Sequence, residues 1–395
     1  MLLSVFICVH LWLNNMTIYL DNAATSYPKP ESVYQALDAF ARRSLANPGR
    51  SGHRMALGAD RAVADGRHEL NQFFHGKEAE RWIFTLNCTD ALNMAIKGLL
   101  VEGDHVITTN LEHNSVSRPL RALELAGRIS VTRLEADAEG TIDPDAVRAA
   151  IAPKTRLVAM THASNVVGTV QPVAEVGRIA RERNVLLLVD AAQTAGVIPI
   201  DVQAMHIDLL ALPGHKSLMG PTGTGALYVA PGVEIAAWRE GGTGGNSLSE
   251  TQPRDYPHLL EGGTPNVLGI AGLTAGVRWV RERGLDAIHA HEVALVERLW
   301  KRLDEAGGYR VLGHRDHARR VGTISFLHEG LSAPDMGGIL DASFDIAIRS
   351  GLHCAPFVHH AHGTVPDGAV RVSPGPFNTA EDIDALAAAL AEMAL

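Results

Sequence analysis

Residues 212–229 read LPGHKSLMGPTGTGALYV. A single lysine, Lys216, stands between glycine-bearing flanks, directly after the apolar run DLLALP (208–213), and the stretch continues into ALYVA (226–230), which has the composition of a strand. Two common loop types are excluded. A phosphate loop of the Walker type needs Gly-Lys-Ser/Thr, whereas His215 separates Gly214 from Lys216. A dinucleotide fingerprint leads from a strand into a helix, and this stretch leads from one strand into another. What remains is a lysine kept for its nucleophilic nitrogen.

Working outward, apolar runs alternate with helical patterns. RWIFTL (81–86) precedes CTDALNMAIKGLL (88–100), DHVITTN (104–110) precedes SVSRPLRALELAG (115–127), and TRLVAMTHAS (155–164) precedes PVAEVGRIARERN (172–184). VLLLVD (185–190) and DLLALP follow. Alternation of this kind predicts an α/β fold with βαβ units and a mostly parallel central sheet flanked by helices. Strands apolar on both faces, as VLLLV is, are those of a sheet covered on both sides. Residues 240–266, rich in Gly, Thr, Ser and Pro, read as an ordered loop region. Beyond it, VLGIAGLTAGVRWVRERG (267–284) and AIHAHEVALVERLWKRLDEAG (287–307) have helical periodicity, and a smaller α+β unit ends in the helix TAEDIDALAAALAEM (379–393). The expected division is a large domain over 31–270 and a small C-terminal domain over 271–395, with an N-terminal segment, 16–30, packed on the small domain.

The bulk numbers narrow the function classes. A chain of 395 residues has length enough for two domains. Its net charge of −9 argues against a nucleic-acid partner. The three cysteines, Cys8, Cys88 and Cys354, are too few and too scattered for a disulfide framework or a Cys-x-x-Cys metal site. The apolar start MLLSVFICVHLWLNN (1–15) lacks the basic region and cleavage site of a secretory signal and is too short to span a bilayer. It is expected to be a non-native or disordered extension ahead of Met16, and the protein to be cytoplasmic with no membrane partner.

In a doubly wound sheet, ligands sit beyond the carboxyl ends of the strands. The residues at those positions are Asn87, Cys88, Thr89, His113, Asn165, Asp190, Gln193, His215 and Lys216, and they should converge on one crevice. Asp190, leaving a fully apolar strand, needs a partner to stay charged, and a pyridinium nitrogen would serve; a helix N-cap for AAQTAG is the plainer reading. Lys216 is either a solvated loop lysine or an amine with a lowered pKa that forms a Schiff base. His113 is either a satisfied loop histidine or an aromatic plate stacked on a cofactor ring. Thr89 could cap the helix that follows it and also donate to a phosphate at that helix N-terminus.

The stretch RSGLHCAPFVHHAHG (349–363) places Cys354 among His353, His359, His360 and His362. The spacing matches no standard zinc pattern. An accessible thiol with a lowered pKa is the better reading, and a buried structural cysteine the alternative. Arg349 and Arg371 close the short apolar runs FDIAIR and GAVR, where arginine suits bidentate capture of a substrate carboxylate or a structural ion pair.

These stretches, with IYLDNAATS (18–26), NPGRSGHR (47–54), LEHNSV (111–116), ASNVVGT (163–169), LLLVDAAQTAG (186–196), EGGTPNV (261–267), IRSGLHCA (348–355) and VRVSPGPFNT (370–379), closely resemble the class V aminotransferase-like enzymes that depend on pyridoxal 5′-phosphate (PLP). Within them, the similarity is greatest to the group II, Suf-type cysteine desulfurases and selenocysteine lyases. The resemblance implies the PLP-dependent transferase fold type I and a homodimer with sites at the subunit interface. It implies catalytic roles for Lys216, which carries the cofactor as a Schiff base, for Cys354, which accepts sulfur, and for His113, which stacks on the ring. Asp190 would hold the pyridinium nitrogen, Gln193 the 3′-oxygen, and Thr89 and His215 the phosphate, with Cys88 beside it and Thr264 supplied by the neighbouring subunit. Asn165 and Arg371 would bind the substrate carboxylate, with His53 and Arg349 near the pocket. The implied activity is conversion of L-cysteine to L-alanine with a persulfide on Cys354, passed on to a protein acceptor. The alternatives are a selenocysteine lyase, a class V aminotransferase, or a PLP-type scaffold without catalysis. The chain departs from the pattern at Pro213, where relatives usually carry a hydroxyl residue, and at Cys88, where they carry threonine.

Overall fold

Strand β1 (Ile18–Tyr19) is followed by helices α1 (Glu31–Arg43) and α2 (Arg54–Phe73). An alternating series comes next: β2 (Trp82–Thr85), α3 (Cys88–Leu99), β3 (Asp104–Thr109), α4 (Asn114–Leu125), β4 (Ile129–Leu134), α5 (Pro144–Ala150), β5 (Thr155–Thr161), α6 (Val173–Glu182) and β6 (Leu186–Asp190). Strands β7 (Leu209–Pro213) and β8 (Gly225–Val229) close it. In this computed structural model the described residues are 17–49, 52–244 and 248–393. The expectation for residues 1–15 and Arg50–Ser51 of NPGRSGHR lie outside them.

The seven strands β2 to β8 form one sheet in the order β2-β8-β7-β6-β5-β3-β4. Strands β3 to β7 run parallel, and β8 lies antiparallel to both β7 and β2. The reversal at β8 has a simple cause. Residues 214–224 between β7 and β8 are too few for the helical crossover that a parallel neighbour requires.

Period-two alternation explains why the central strands are apolar throughout. Leu187, Val189, Leu210 and Leu212 join the core on one face, while Leu188, Leu209 and Ala211 join the core on the other. Each such Val or Leu, fully buried, contributes about 1.5–3 kcal/mol, so central β6 and β7 hold the strand ends firmly. One glycine sets the spacing of the turns they carry. Gly196 has φ +99, and a Cβ there would come within 2.5 Å of the Ser217 carbonyl oxygen, so the turn after Asp190 rests against the turn holding Lys216.

Beyond the loop region come α7 (Val267–Arg283), α8 (Leu285–Ala306), β9 (Tyr309–Leu312), β10 (Ile324–His328), α9 (Ala333–Phe344), β11 (Ile346–Ala347), β12 (Arg349–Gly351), α10 (Pro356–Ala361), β13 (Ala369–Val372) and α11 (Ala380–Met393). A four-stranded antiparallel sheet runs β12-β13-β10-β9, and β1 pairs in parallel with β11. Leu299, Phe326, Val370, Val372 and Leu386 form the core of this part together with Leu20 from the N-terminal segment. The expected division after residue 270 falls inside α7, whose Leu273 and Val277 belong to the core of the large sheet. No helix among the described residues is long and apolar enough to cross a membrane.

Candidate active site

The crevice beyond the strand ends encloses about 200 Å³ and is lined by Asn87, Cys88, Thr89, His113, Asn165, Asp190, Gln193, Pro213, His215, Lys216 and Arg349. All nine residues that the strand map brings to one place are there. Ser115, Thr161, Ala24, Ala163 and Ala192 complete the wall. Ser115 was not expected, although it follows His113 by two residues at the start of α4. The signal for it was a hydroxyl in the first turn of a helix whose N-terminus faces the crevice.

Asp190 is buried and its Oδ1 accepts two hydrogen bonds, from the Ala192 N–H at 2.9 Å and from the Cys88 thiol at 3.4 Å. Among the described residues no hydrogen bond reaches Oδ2. Residues 191–196 form turns rather than a helix, so the N-cap reading of Asp190 is replaced by a tight turn closed on its own carboxylate. Burial, and then the neighbouring Asp190 carboxylate, push the Cys88 thiol well above its ordinary pKa, so it stays a donor. Lys216 stands beside them. Burial, and after it the Arg371 guanidinium, lower its amine to about 8, with Asp190 acting in the opposite direction. An amine so placed is far richer in the neutral, nucleophilic form than a solvated lysine.

His113 caps α4. Its Nδ1 accepts the Ser115 N–H at 3.1 Å, so the neutral ring carries its proton on Nε2, and burial lowers its pKa. The Ser115 hydroxyl lies 2.8 Å from that Nδ1 and 2.7 Å from the Thr89 hydroxyl. Thr89 is not the cap of α3. Asn87 is, accepting the Asp90 N–H at 2.9 Å, which leaves the Thr89 hydroxyl with Ser115 at the crevice wall. The plainer reading of Thr89 is thereby corrected. His215 is held neutral by burial, which lowers it to about 4, and its Nδ1 is a buried atom with no hydrogen-bond partner. Gln193 donates to the Ala23 carbonyl at 3.2 Å.

The C-terminal part delivers the thiol. Cys354 has φ +58 and His353 φ +49, consecutive left-handed residues that turn the chain sharply between β12 and α10. The loop is tied to the crevice at both residues: the Asn165 amide donates to the His353 carbonyl at 2.7 Å, and the Asn114 N–H to the Cys354 carbonyl at 2.7 Å. Arg349 Nη2 donates to Cys354 Sγ at 3.6 Å. The thiol is partly accessible rather than a buried structural one. His353 and His359 pair ring to ring at 3.3 Å, and His359 also bonds Thr364, so these two histidines are engaged within the loop. Among the described residues no group of three His, Cys, Asp or Glu is arranged to hold a metal ion.

Arg371 is fully buried, bonded to Asp21 Oδ1 at 2.6 Å and to the Asn165 carbonyl at 3.2 Å, with Nε unpartnered. It is therefore an ion pair with an idle donor beside the crevice. Two expected residues stand apart. His53 is exposed and caps α2, its Nδ1 accepting the Ala56 N–H at 3.2 Å. Thr264 lines a separate cavity with Asp90, Gly223 and Asn266.

Comparison with known proteins places this arrangement. The family model described as Aminotransferase class-V matches residues 18–386. The chain belongs to the class V aminotransferase family. It is 36% identical over 383 residues to a probable cysteine desulfurase of Methanothermobacter thermautotrophicus, covering 95% of this chain and 94% of that protein. It is 34% identical to a cysteine desulfurase of Salmonella agona, covering 94% and 92%. Among solved structures, the apo cysteine desulfurase from Thermococcus onnurineus NA1 superposes with a TM-score of 0.90 at 34% identity, covering 95% of this chain and 94% of that one. A cysteine desulfurase of Escherichia coli in its S-sulfonic acid form gives 0.86 at 30% identity, covering 96% and 95%. Class V aminotransferases of this kind depend on PLP, and the fold is the type I α/β fold of these enzymes. The residues of this crevice fit that cofactor: a free Asp190 Oδ2, a partnerless buried His215 nitrogen and a lysine amine of lowered pKa face one cavity.

Proposed function

We propose that this protein is a PLP-dependent cysteine desulfurase of the Suf type that converts L-cysteine to L-alanine and passes the sulfur, through a persulfide on Cys354, to a protein acceptor. The observation that carries the reading is the Cys354 thiol held by the Arg349 guanidinium at the rim of the crevice that contains Lys216. A class V transaminase has no use for a thiol there.

PLP, when bound, supplies a ring that withdraws electrons from the substrate Cα. Lys216 would anchor it through Nζ, and Asp190 Oδ2 would hold its ring nitrogen charged. His113 would stack on the ring, Gln193 would meet its 3′-oxygen, and Thr89 and His215 would take the phosphate, with Cys88 adjoining. Arg371 and Asn165 would receive the substrate carboxylate, with Arg349 and His53 nearby. Lys216 Nζ, neutral in a useful fraction near pH 8, would take the proton from the substrate Cα and return it to the carbon chain that leaves as alanine. Cys354 Sγ, as thiolate, would attack the substrate sulfur: an S–S bond forms, the bond between that sulfur and the substrate Cβ breaks, and its electron pair stays with Cβ, which takes up a proton to become the methyl of alanine.

The working unit would be a homodimer in the cytoplasm, with Thr264 contributed to the neighbouring subunit's phosphate site, and with no nucleic acid or membrane involved. Thr264 lines a separate cavity and not the crevice of its own chain, which supports that assignment. The test is a Cys354→Ala variant assayed with L-cysteine. Loss of sulfide formation by about a hundredfold or more, with cofactor still bound, is expected; undiminished turnover would exclude the thiol as acceptor.

A further inference from the structure

The N-terminal segment carries a second lysine to the site. Lys29 Nζ lies 2.7 Å from the carbonyl oxygen of His215 and 2.6 Å from the Ser26 hydroxyl. That hydroxyl accepts from Lys29 and donates its one proton to the Lys216 carbonyl at 2.8 Å. The His215 carbonyl also receives the Thr25 hydroxyl at 3.0 Å and the Ser26 N–H at 3.1 Å. The two peptide carbonyls on either side of the Lys216 Cα, those of His215 and Lys216, are thus fixed from one decapeptide. No carboxylate pairs with Lys29 among the described residues, so its ammonium is held by carbonyl and hydroxyl oxygens alone. The other half of the same segment is fixed elsewhere. Ser373, at the end of β13, bonds Leu20, Asn22 and Ala23, and Asp21 pairs with Arg371. Residues 20–29 therefore run from the C-terminal sheet, which bears Arg371 and leads into the Cys354 loop, to the backbone of Lys216.

We propose that Lys29 is a positioning residue: with Thr25 and Ser26 it clamps the carbonyls of His215 and Lys216, and the segment it ends sets the Lys216 amine relative to Arg371 and the Cys354 loop. The proposal rests on the catalytic reading of Lys216 given above. Ion–carbonyl hydrogen bonds are about twice as strong as neutral ones, and the Lys29–Ser26–Lys216 chain polarises along its length. The Met219 N–H, which donates to the same Lys216 carbonyl at 2.8 Å, reports on the clamp from the opposite side.

The experiment uses the purified holoenzyme with Lys29→Met, and Thr25→Val as a milder variant should the first fold poorly. Three readouts are taken: hydrogen exchange at the Met219 and Gly220 amides, the pH midpoint of the cofactor's visible absorbance, and kcat and KM for L-cysteine. The expected result for Lys29→Met is exchange faster by about fivefold or more, an absorbance midpoint moved by about half a pH unit or more, and kcat lower by roughly tenfold with KM within about twofold. Thr25→Val should show smaller changes in the same direction. Unchanged exchange in both folded variants overturns the clamp. Faster exchange with an unmoved absorbance midpoint and unchanged kcat overturns the positioning role. Should the wild-type protein show no cofactor absorbance at all, the proposed function falls, while the exchange readout still decides the clamp.

Discussion

Arg349 Nη2 sits 3.6 Å from the sulfur of Cys354, five residues along the chain, although backbone and thiol meet only because His353 and Cys354 both adopt positive φ. A guanidinium at that distance holds the sulfur in one orientation through a directed N–H···S contact. Arg349→Ala, which frees the sulfur from that contact, is expected to lower kcat for sulfide formation from L-cysteine by about three- to tenfold. Turnover at the wild-type rate would show that Arg349 serves another group.

The amine that makes Lys216 useful also makes it a burden on the fold. Its folded-state pKa of about 8 lies below its ordinary 10.5, chiefly through burial. Below pH 8 both states hold the proton and the destabilisation is complete. Between about 8 and 10.5 the folded protein releases a proton that the unfolded chain retains, so stability rises with pH. In the cofactor-free protein, Lys216→Met should therefore be more stable than wild type at pH 7. The side chain is only half-buried by area, so the gain is on the order of 1 kcal/mol. Denaturant titrations at pH 7 and pH 10 check this: the advantage should shrink at the higher pH, and an advantage independent of pH would contradict the assignment.

Acid should strike the Cys354 loop. His353 is buried and pushed down to about 2, first by burial and then by Arg371 and His359, while His359 is lowered to about 4, mainly by burial. Both rings stay neutral in the folded state, so the stability they lend is present above the unfolded pKa of 6.5 and is lost as pH falls below it. Asparagine tolerates the left-handed backbone at position 353. His353→Asn should lower stability at pH 7 through lost packing. Its deficit should then narrow by about 1–2 kcal/mol at pH 5, since each pH unit is worth 1.36 kcal/mol per group. Unfolding curves at the two pH values decide it; a constant deficit would mean that His353 takes up a proton in the folded state.

The crevice was legible because one geometric rule converts strand ends into a site, and apolar runs such as VLLLVD locate strand ends well. What escaped depends on contacts between distant parts of the chain. The Ser26 hydroxyl meets the Lys216 carbonyl across 190 residues, and the Asp21–Arg371 pair spans 350; no local pattern encodes either. The capping of α3 was misplaced by two residues because Asn87 and Thr89 are both good caps and only backbone geometry separates them. The reversed direction of β8 was foreshadowed by the shortness of 214–224. Pro213 is accommodated there as the final residue of β7, opposite Gly225. His53 and Thr264 entered through family resemblance alone, and each lies outside the lining of the crevice formed by its own chain.

Movement of sulfur from the substrate to one thiol of this chain is the step on which the proposed function turns. Brief exposure of the purified holoenzyme to L-cysteine, followed by peptide mass spectrometry without reductant, measures it directly. One added sulfur atom is expected on the peptide containing Cys354 and none on the peptide containing Cys88. An unmodified Cys354 peptide alongside continued release of alanine would contradict it.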